Sequence, residues 1–433
     1  MANKKVLILA YDFPPYNSIA AQRPASWARY LPKFGIDTTV VTLHWDNEIR
    51  DDQSYIIPSF KKTVLKDNLY YAQVFRVPFS PNLRDKLLFN YGFNRYVLLR
   101  KTLSIFYFVL KYFWLKADNT RQIYKHADML LKNEHFDILL VTAEPFILFK
   151  YANILSRKHK IPWVADYRDA WTNNPALEMS VGLMSRLNEW VLKPLEKKYI
   201  SSTSLITTPS PSYKKLIQRL FPDKPISVVY NGHDIKNIKE LNSIPQSNKQ
   251  FTIAYAGRVY AHQDLEVFLE GYRLFLEGYE FNVDTEVIFY GLNFYHDNVQ
   301  RVLSFDKTLN RYIKITDRLP YPALTRNLCR ANLFLLLSTK NARWLNAKIF
   351  DYLPLQRKII LVRNDHGILH SILEECQAGH AVASASELAV LLKRCYESFV
   401  TDGRVKHITI GYEKYSRATQ AEFLAKLLTQ CVE

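Results

Sequence analysis

Two short apolar segments, about half a chain apart, constrain the fold more than any other feature of this sequence. The first, residues 6–11, reads VLILAY and runs into a loop at Asp12. The second, residues 251–257, reads FTIAYAG and runs into Arg258. An apolar run that stops at a loop and is followed by a helical pattern is typical of the start of a doubly wound α/β domain. The sequence therefore predicts two facing Rossmann-like domains, with a ligand-binding cleft between them.

Strand-like and helix-like segments alternate through both halves of the chain. The short connections between them predict parallel sheets that are covered by helices on both faces. The predicted domains are residues 1–234 and 251–410, joined by a polar linker at 235–250 and followed by a helical segment at 411–433. Residues 44–92 are polar and contain prolines, so we expect an irregular insertion on the surface of the first domain.

The net charge of +17 predicts an acidic partner, which leaves nucleic acid, an anionic membrane surface and phosphorylated substrates as candidates. No basic low-complexity arm or single-strand-binding motif is present, so we expect no nucleic-acid partner. No uncharged apolar stretch approaches the ~20 residues of a transmembrane helix, and residues 1–5 lead directly into the first predicted strand. The 4 cysteines lack metal-binding spacing and are interpreted as reduced thiols. We therefore expect a cytoplasmic protein.

Common catalytic motifs are missing from the sequence. No two of the 12 glycines form Gly-x-Gly, which argues against a dinucleotide fingerprint and a phosphate-binding P-loop. No Gly-x-Ser-x-Gly elbow, His-Glu-x-x-His helix, Cys/His metal spacing or Asp-x-Asp pair occurs. A phosphate ligand would then be neutralised by lysine, arginine and helix N-termini. We expect neither a metal nor a cofactor.

The densest polar cluster at a predicted strand end lies in residues 161–172. Asp166, Arg168 and Asp169 come at the carboxyl end of a central strand, where α/β proteins place ligand contacts. The alternative is an Asp–Arg–Asp ion network that fixes a loop, and the residues alone do not decide between the two.

A second cluster joins Lys340 to residues 346–353. Lys348 and Asp351 lie three positions apart on one face of a predicted helix whose positive end points into the cleft. A cation at that position suits a diphosphate, and Asp351 would accept a hydrogen bond from a sugar hydroxyl. The alternative is a surface ion pair between the two side chains.

An ordered set of motifs spans nearly the whole chain and resembles the family-4-like retaining glycosyltransferases with the two-domain GT-B fold. The motifs are LILAYDFPP at 7–15, the stretch from Arg23-Pro to YLPK at 30–33, ADYRDAWT at 165–172, YNGHD at 230–234, YAGR at 255–258, KIFDYL at 348–353 and YSR at 415–417. The resemblance implies transfer of a sugar from a nucleotide-sugar donor to an acceptor hydroxyl without a bound metal. The first domain would hold the acceptor, the second the nucleotide, and the last helix would cross back to the first domain. The acceptor would be a lipid-linked or growing cell-surface saccharide, as in lipopolysaccharide or capsule assembly.

The resemblance also implies roles for individual residues. Arg258 would stabilise the leaving diphosphate with the help of Lys348, which is the main catalytic effect expected in such a site. The predicted donor-binding residues are Gly257, Arg258, Arg343, Lys348 and Asp351, the last in place of the glutamate that binds the nucleotide ribose. The residues predicted to face the reacting sugar are Asp166, Arg168 and Asp169. The predicted acceptor-side residues are Pro14, Pro15, Ser18 and Arg23.

The sequence departs from the family pattern at three places. Gln263 stands where a second cation is common, Arg343 replaces the first glutamate of the paired-acid motif, and residues 18–21 replace a glycine pair. One interpretation is a divergent active enzyme in which Arg343 supplies the missing cation. The other is a binding or scaffold protein that has lost turnover. We expect the active enzyme, because the cations at 258 and 348 persist.

Residues 94–116 form a predicted helix that is both basic and aromatic. Apart from a narrow polar stripe, nearly all of its side chains are apolar. One interpretation is an interfacial helix that rests on anionic lipid and brings a lipid-linked acceptor to the cleft, which would place the protein at the inner face of the cytoplasmic membrane. The other is a helix buried against the sheet.

Overall fold

The computed structural model describes residues 3–16, 19–45, 56–112, 120–174, 186–247, 249–340 and 345–433. The chain divides into two compact units. The first contains Met1–Asn231 and Arg417–Glu433, and the second contains Gly232–Ser416. Each unit is built on its own mostly or wholly parallel sheet, which confirms the predicted fold class of two doubly wound α/β domains.

The sheet of the first unit has eight strands in the order β3-β4-β2-β1-β5-β6-β7-β8. The strands are β1 Lys4–Ala10, β2 Ile36–Leu43, β3 Leu65–Leu69, β4 Ala72–Val77, β5 Ile138–Ala143, β6 Trp163–Tyr167, β7 Leu205–Thr208 and β8 Ile226–Val228. All neighbours are parallel except β3 and β4, which form an antiparallel hairpin at the edge. Strand β5 reads ILLVTA and is buried throughout, as expected for a strand covered on both faces.

Seven helices of the first unit are described before the chain enters the second. They are α1 Ile19–Tyr30, α2 Leu83–Tyr91, α3 Val97–Tyr112, α4 Arg121–Asn133, α5 Ile147–His159, α6 Lys193–Ile200 and α7 Pro211–Leu220. A 3₁₀ turn at Leu31–Phe34 extends α1, and a π-helical turn at Asn188–Leu192 precedes α6. The buried apolar faces of α4 and α5 cover the sheet, as the helical periodicity requires, whereas α3 has no buried residue.

The expectation of an irregular insertion at residues 44–92 is wrong for residues 56–92. This part contains the hairpin β3–β4 and helix α2. Strand β4 pairs in parallel with β2, and four of its six residues are buried. The edge strand β3, with the sequence LKDNL, has few apolar residues, so its strand character depends on pairing with β4.

The second unit has a six-stranded, wholly parallel sheet in the order β11-β10-β9-β12-β13-β14. The strands are β9 Phe251–Ala256, β10 Thr285–Tyr290, β11 Ile313–Ile315, β12 Leu333–Leu337, β13 Lys358–Val362 and β14 Gly379–Val382. The helices are α8 Ile238–Asn242, α9 Leu265–Glu277, α10 His296–Leu303, α11 Tyr321–Leu328, α12 Lys348–Tyr352, α13 Ile368–Glu375 and α14 Ala385–Asp402. Four 3₁₀ turns complete the unit, at Leu292–Phe294, Lys307–Tyr312, Leu353–Leu355 and Tyr412–Tyr415.

Residues 235–250, predicted to be a linker, are packed into the second unit where the structure describes them. Leu241 of α8 is buried, and Asn242 Nδ2 donates a hydrogen bond to the Pro354 carbonyl at 3.0 Å. Gln246 accepts from Asn332 Nδ2 and donates to the Val405 carbonyl. The polar composition of this stretch therefore reflects its side-chain hydrogen bonds and not a free connection.

The last helix, α15 Arg417–Gln430, belongs to the first unit. Leu424 and Leu428 lie in the same buried cluster as Trp27 of α1. Gln420 Oε1 accepts a hydrogen bond of 2.8 Å from the backbone N–H of Tyr230. Among all described residues, no helix is long and apolar enough to cross a membrane.

Candidate functional site

Asp166, at the carboxyl end of β6, is held inside the first unit. Its carboxylate accepts hydrogen bonds from Arg23 Nη2 at 2.7 Å, from Thr142 Oγ1 at 2.8 Å and from Thr207 Oγ1 at 2.8 Å. Arg23 also donates to the Val229 carbonyl at 2.6 Å. Because Asp166 is 0% and Arg23 2% exposed, neither faces a substrate. We correct both assignments: this pair ties α1 to strands β5, β6 and β7.

Arg168 lies at the surface of the same strand ends and connects three of them. Its Nη1 donates to Asp12 Oδ2 at 2.9 Å, after β1, and its Nε donates to the Ala143 carbonyl at 2.9 Å, at the end of β5. Its Nη2 donates to the Glu144 carbonyl at 2.7 Å. Beside it, Asp169 accepts a hydrogen bond of 2.9 Å from Tyr213 OH. Both residues therefore contribute to an ion and hydrogen-bond network around a loop, one of the two interpretations that the sequence left open.

A pocket of about 520 Å³ opens beside this network in the first unit. Its charged lining residues are Asp12, Arg84, Asp85, Lys111, Glu144 and Arg168. Its aromatic lining residues are Tyr11, Tyr107, Phe108 and Tyr112. Carboxylates and flat rings are the groups that hydrogen-bond and stack on polyhydroxylated ligands.

Two carboxyl groups of this pocket bind their protons more tightly than usual. Burial raises the pKa of Asp12, and the charge of Arg168 opposes this shift. Burial also raises the pKa of Glu144, with smaller contributions from Asp169 and Asp12. The cause in both cases is that a low-dielectric surrounding disfavours the charged carboxylate. Displaced pKa values in a pocket are typical of functional sites.

The pocket does not contain the residues that the sequence predicted for the acceptor side. Pro14 lies in the loop after β1, where its carbonyl accepts from Arg76 Nη1 at 2.6 Å, and Pro15 is exposed. Ser18 lies outside the described residues. Sequence reasoning missed Glu144, although its position directly after β5 is the signal that drew attention to Asp166 after β6.

Glu196 of α6 holds the loop after β6 in place through hydrogen bonds. Its Oε2 accepts from the Thr172 hydroxyl at 2.5 Å and from the Thr172 N–H at 3.1 Å, and its Oε1 accepts from Tyr167 OH at 2.9 Å. Burial raises the pKa of Glu196 to about 7, against the hydrogen bonds from Thr172 and Tyr167. The sequence offered no sign of this role, because nothing local distinguishes Glu196 from the neighbouring charges of a solvated helix face.

In the second unit, the loop after β9 brings Gly257 against Lys348. Gly257 has φ +86°, a left-handed conformation that favours glycine, and its N–H donates to the Tyr290 carbonyl at 2.8 Å. A Cβ atom at this position would lie 3.4 Å from Lys348 Cε. Arg258 follows with an exposed guanidinium group, 5.4 Å from the ring centre of Tyr260 and 5.2 Å from that of Tyr295.

Lys348 is a half-buried cation at the centre of this second cluster. Its Nζ donates to Tyr255 OH and to the Arg258 carbonyl, both at 2.9 Å. Burial lowers the pKa of Lys348 to about 7, and the charge of Asp351 opposes the shift. Asp351 accepts a hydrogen bond of 2.8 Å from Tyr321 OH. Helix α12 has a single turn of 5 residues, so the predicted helix-end contribution is small and the ammonium group carries the charge.

The glutamine at the expected cation position has a structural explanation. Gln263 is buried, its Nε2 donates to the Leu337 carbonyl at 2.8 Å, and its Oε1 accepts from the Tyr260 N–H at 2.9 Å. It therefore fastens the loop after β9 to strand β12. Arg343, predicted to replace the missing cation, lies outside the described residues, while Lys340 is exposed after β12.

The chain is similar to known proteins in part of its sequence and in its fold. The model of Glycosyltransferase Family 4 matches residues 22–237. OtsA, a trehalose-6-phosphate synthase, is similar in structure with a TM-score of 0.63 at 12% identity over 99% of each chain. HepE of Anabaena, solved with UDP-glucose, gives a TM-score of 0.57 at 12% identity over 98% of this chain and 99% of HepE. The UDP-forming trehalose-phosphate synthase of Burkholderia xenovorans, solved with glucose-6-phosphate, gives 0.64 at 11% identity over 98% of this chain and 100% of that one. No curated protein matches the sequence.

The class of protein is defined by three findings: two parallel-sheet units, a family model that matches residues 22–237, and whole-chain structural similarity to trehalose-phosphate synthases and to HepE. The chain belongs with the family-4-like glycosyltransferases of the GT-B fold, and the resemblance drawn from its motifs is confirmed.

Proposed function

We propose that this glycosyltransferase moves a sugar, with retention of configuration and without a metal, from a nucleotide-sugar bound by the second unit. The acceptor is a hydroxyl group of a saccharide held in the pocket of the first unit. The observation that carries the proposal is the contact of Lys348 with the loop Gly257-Arg258, which places an ammonium group on the backbone carbonyl of Arg258, a residue whose side chain is exposed. HepE, which has the same fold, was solved with UDP-glucose, so UDP-sugars are the first donors to test.

The catalytic role of the second unit is to stabilise the negative charge that develops on the leaving group. As the bond between the anomeric carbon and the phosphate oxygen breaks, negative charge develops on the departing diphosphate. Arg258 and Lys348 supply two positive groups for it, and preorganised charge of this kind commonly contributes more than any other effect to enzymatic rate enhancement. Lys348 titrates at a pKa of about 7 without ligand, and a diphosphate beside it would raise that value and keep it charged.

Retention follows from attack on the face that the diphosphate leaves. The acceptor oxygen forms the new bond to the anomeric carbon, and its proton passes to the phosphate oxygen that departs. In this scheme the leaving group acts as the base. The resemblance to retaining enzymes supports this course, and the two cations supply the positive charge that a metal provides elsewhere.

The pocket of the first unit suits an acceptor rich in hydroxyl groups. Asp12 and Glu144 accept hydrogen bonds from hydroxyl groups, and Tyr107 offers a ring face beside them. We propose a lipid-linked or growing cell-surface saccharide as acceptor, in lipopolysaccharide or capsule assembly at the inner face of the cytoplasmic membrane. The basic and aromatic character of residues 94–116 supports that choice.

The alternative, a binding or scaffold protein that has lost turnover, was suggested by Gln263 and Arg343, which depart from the family pattern. The contacts of Gln263 weaken that alternative, because they give the glutamine a function in holding the donor-side loop. An assay of turnover distinguishes the two proposals, since both allow a nucleotide to bind.

The test begins with thermal unfolding in the presence of UDP, GDP and their sugars, because a ligand that binds the folded state raises the melting temperature. The stabilising nucleotide-sugar is then used to measure nucleotide release. We expect Lys348→Ala and Arg258→Ala to lower the rate by about 10²–10³-fold. Lys393→Ala, at an exposed position of α14, is the control and leaves the rate unchanged. Binding without nucleotide release in the presence of saccharide acceptors would favour the scaffold alternative.

The acceptor pocket is tested separately. Glu144→Gln keeps the size of the side chain but removes its charge. We expect a higher acceptor KM or a lower kcat with the same melting shift on nucleotide binding, because Glu144 lies in the first unit. A loss of the nucleotide shift in this variant would contradict the assignment.

A further inference from the structure

Helices α2 and α3 expose an unusual amount of apolar surface. Between residues 83 and 109, eleven large apolar side chains are exposed. Six of them are more than half exposed, namely Leu83, Phe93, Tyr96, Leu98, Ile105 and Phe106. A contiguous apolar patch of this kind on a protein surface marks a site that binds a partner or a membrane. We call these two helices and their connection, residues 83–112, the α2–α3 surface.

Helix α3 is not a core helix. None of its 16 residues is buried, which rules out the interpretation of a helix packed inside against the sheet. Its C-terminal end is nevertheless fixed to the body of the unit. Lys150 Nζ donates to the carbonyls of Lys111 and Tyr112 at 3.1 and 3.2 Å, and Tyr199 OH donates to Tyr112 at 3.2 Å. The helix is therefore held in place at its end while its outer face stays open.

The charges on the α2–α3 surface are almost all positive. Residues 83–112 contain six lysines and arginines and a single acid, Asp85, which pairs with Arg84 at 2.7 Å. Lys86, Arg95 and Lys101 are exposed among the apolar side chains. A bilayer with anionic headgroups matches this mixture of apolar, aromatic and basic groups. An apolar patch of another protein would match the apolar groups of this surface but not its aromatic and basic groups.

The inner face of the same helix lines the pocket of the first unit. Ser104, Tyr107, Phe108 and Lys111 follow one another at helical spacing and all contribute to its wall. On the opposite face lie Leu98, Ile105 and Val109, all exposed. One helix thus separates a polar pocket from an apolar outer surface, so that a membrane lying on the outer face would bring its headgroups to the pocket.

We propose that the α2–α3 surface docks on an anionic bilayer and that the acceptor is a lipid-linked saccharide taken from it. The apolar side chains enter the headgroup region, the lysines and arginines contact lipid phosphates, and the saccharide of the acceptor lipid reaches the pocket behind α3. The docking stands on this surface alone, while the identity of the acceptor rests on the proposed glycosyl transfer. Residues 113–116, the last four of the predicted helix 94–116, lie outside the described residues.

The docking is tested by sedimentation of the full-length protein with vesicles of phosphatidylcholine, with and without phosphatidylglycerol. We expect binding to the anionic vesicles, weakened by salt. The triple variant Leu98→Ser, Ile105→Ser, Phe106→Ser should lower the partition coefficient at least tenfold. The variant Lys86→Gln, Arg95→Gln, Lys101→Gln should lower it at least tenfold on anionic vesicles and leave binding to phosphatidylcholine unchanged.

The control variants carry substitutions of the same kind, apolar to serine and basic to glutamine, on exposed residues of the second unit. Val390→Ser with Val400→Ser, and Lys393→Gln with Arg394→Gln, are both on α14 and should bind vesicles as the unmodified protein does. All variants should keep the unmodified melting temperature and its shift with nucleotide. The docking proposal fails if the unmodified protein does not bind anionic vesicles. It also fails if the triple serine variant binds them as well as its control does. A dimer that the apolar variant disrupts, without vesicle binding, would identify a second copy as the occupant and also overturn it.

The acceptor class is tested with membranes of the source cells and the radiolabelled nucleotide-sugar that stabilises the protein. We expect label in the lipid extract and at least a tenfold loss of that label in the apolar variant, at an unchanged nucleotide shift. Label that enters only water-soluble products would overturn the lipid-linked acceptor. No incorporation at all, with vesicle binding intact, would refute the proposed transfer and leave the docking standing.

Discussion

The guanidinium group of Arg23 and the carboxylate of Asp166 form an ion pair in the interior of the first unit, with Nη2 and Oδ1 2.7 Å apart. The two residues are 143 positions apart in the chain, on α1 and β6. Because a buried charge is tolerated only when it is paired and hydrogen-bonded, each of the two makes the other necessary. The pair therefore positions α1 against the sheet that carries the pocket proposed for the acceptor.

Removing one member of this pair should be costly. Arg23→Met leaves the Asp166 carboxylate buried without its cation, and we expect the free energy of unfolding, measured with urea, to fall by about 3–5 kcal/mol. The exposed pair Lys426–Glu422, at 2.8 Å, provides the control. Lys426→Met should change stability by no more than about 1 kcal/mol. Similar losses in both variants would show that burial does not set the strength of the Arg23 pair.

The titration of Lys348 should appear in the affinity for the donor. The free lysine has a pKa of about 7 instead of 10.5, whereas a bound diphosphate holds the proton. Binding above pH ~7 therefore takes up a proton, and affinity should fall by up to about tenfold per pH unit as the pH rises from ~7 to ~9. UDP-glucose is a suitable probe, since its diphosphate does not titrate in this range. The measurement is calorimetry in buffers of different ionisation enthalpy.

Lys348→Met should bind UDP-glucose weakly and without this pH dependence, and Lys393→Met should retain the slope of the unmodified protein. In the unliganded protein the same pKa shift acts on folding with the opposite sign. Between pH ~7 and the unfolded value of 10.5 the unfolded chain binds more protons, so the contribution of Lys348 to stability rises with pH. A pH-independent affinity in the unmodified protein would contradict a role for Lys348 in diphosphate binding.

Gly257 should be sensitive both to backbone strain and to its neighbour. Gly257→Ala places a Cβ in a left-handed conformation and 3.4 Å from Lys348 Cε, so we expect about 1–2 kcal/mol lower stability and a weaker nucleotide-induced melting shift. Gly403 has φ +66° and no atom within 4 Å of its Cβ position. Gly403→Ala should therefore lose similar stability and keep the full nucleotide shift. Loss of the shift in both alanine variants would trace it to stability alone.

Glu196 should make the first unit more stable in mild acid. Its pKa is about 7 in the folded protein and 4.5 in the unfolded chain, so the folded state binds more protons between these values. Its contribution is complete below pH ~4.5 and is lost as the pH rises through ~7, by about 3 kcal/mol in all. Urea unfolding over this range should show the trend in the unmodified protein. Glu196→Gln should flatten it, and an equal slope in both proteins would contradict the assignment.

The sequence predicted the fold class well because the signals for it are local. Residues 6–10 and 251–256 are buried strands of two parallel sheets, and apolar runs of that length bounded by loops are typical of such strands. The hairpin β3–β4 escaped prediction because the strand character of β3 depends on pairing with β4. Prediction of the donor side rested on motif order, which brought Gly257, Arg258 and Lys348 together before their contacts were known.

The polar residues at the strand ends of the first unit were predicted less well, for a reason that Asp166 and Asp169 show. Both are aspartates near the carboxyl end of β6, yet Asp166 is enclosed by Arg23 and two threonines while Asp169 accepts a hydrogen bond from Tyr213 near the surface. Position at a strand end is visible in the sequence, but exposure depends on which distant residues pack there. For the same reason Glu144 and Glu196 were missed.

By itself, the sequence determined the alternation of strands and helices, the excess of positive charge and the family to which the chain belongs, since all three follow from residues close together or from motif order. Only the tertiary structure decided which charges are enclosed and which are presented to a ligand. The tertiary structure also decided that the apolar outer face of α3 is exposed to solvent while its inner face lines the pocket. The physical reason is that desolvation depends on contacts between distant parts of the chain, such as that between Arg23 and Asp166, and no local pattern contains them.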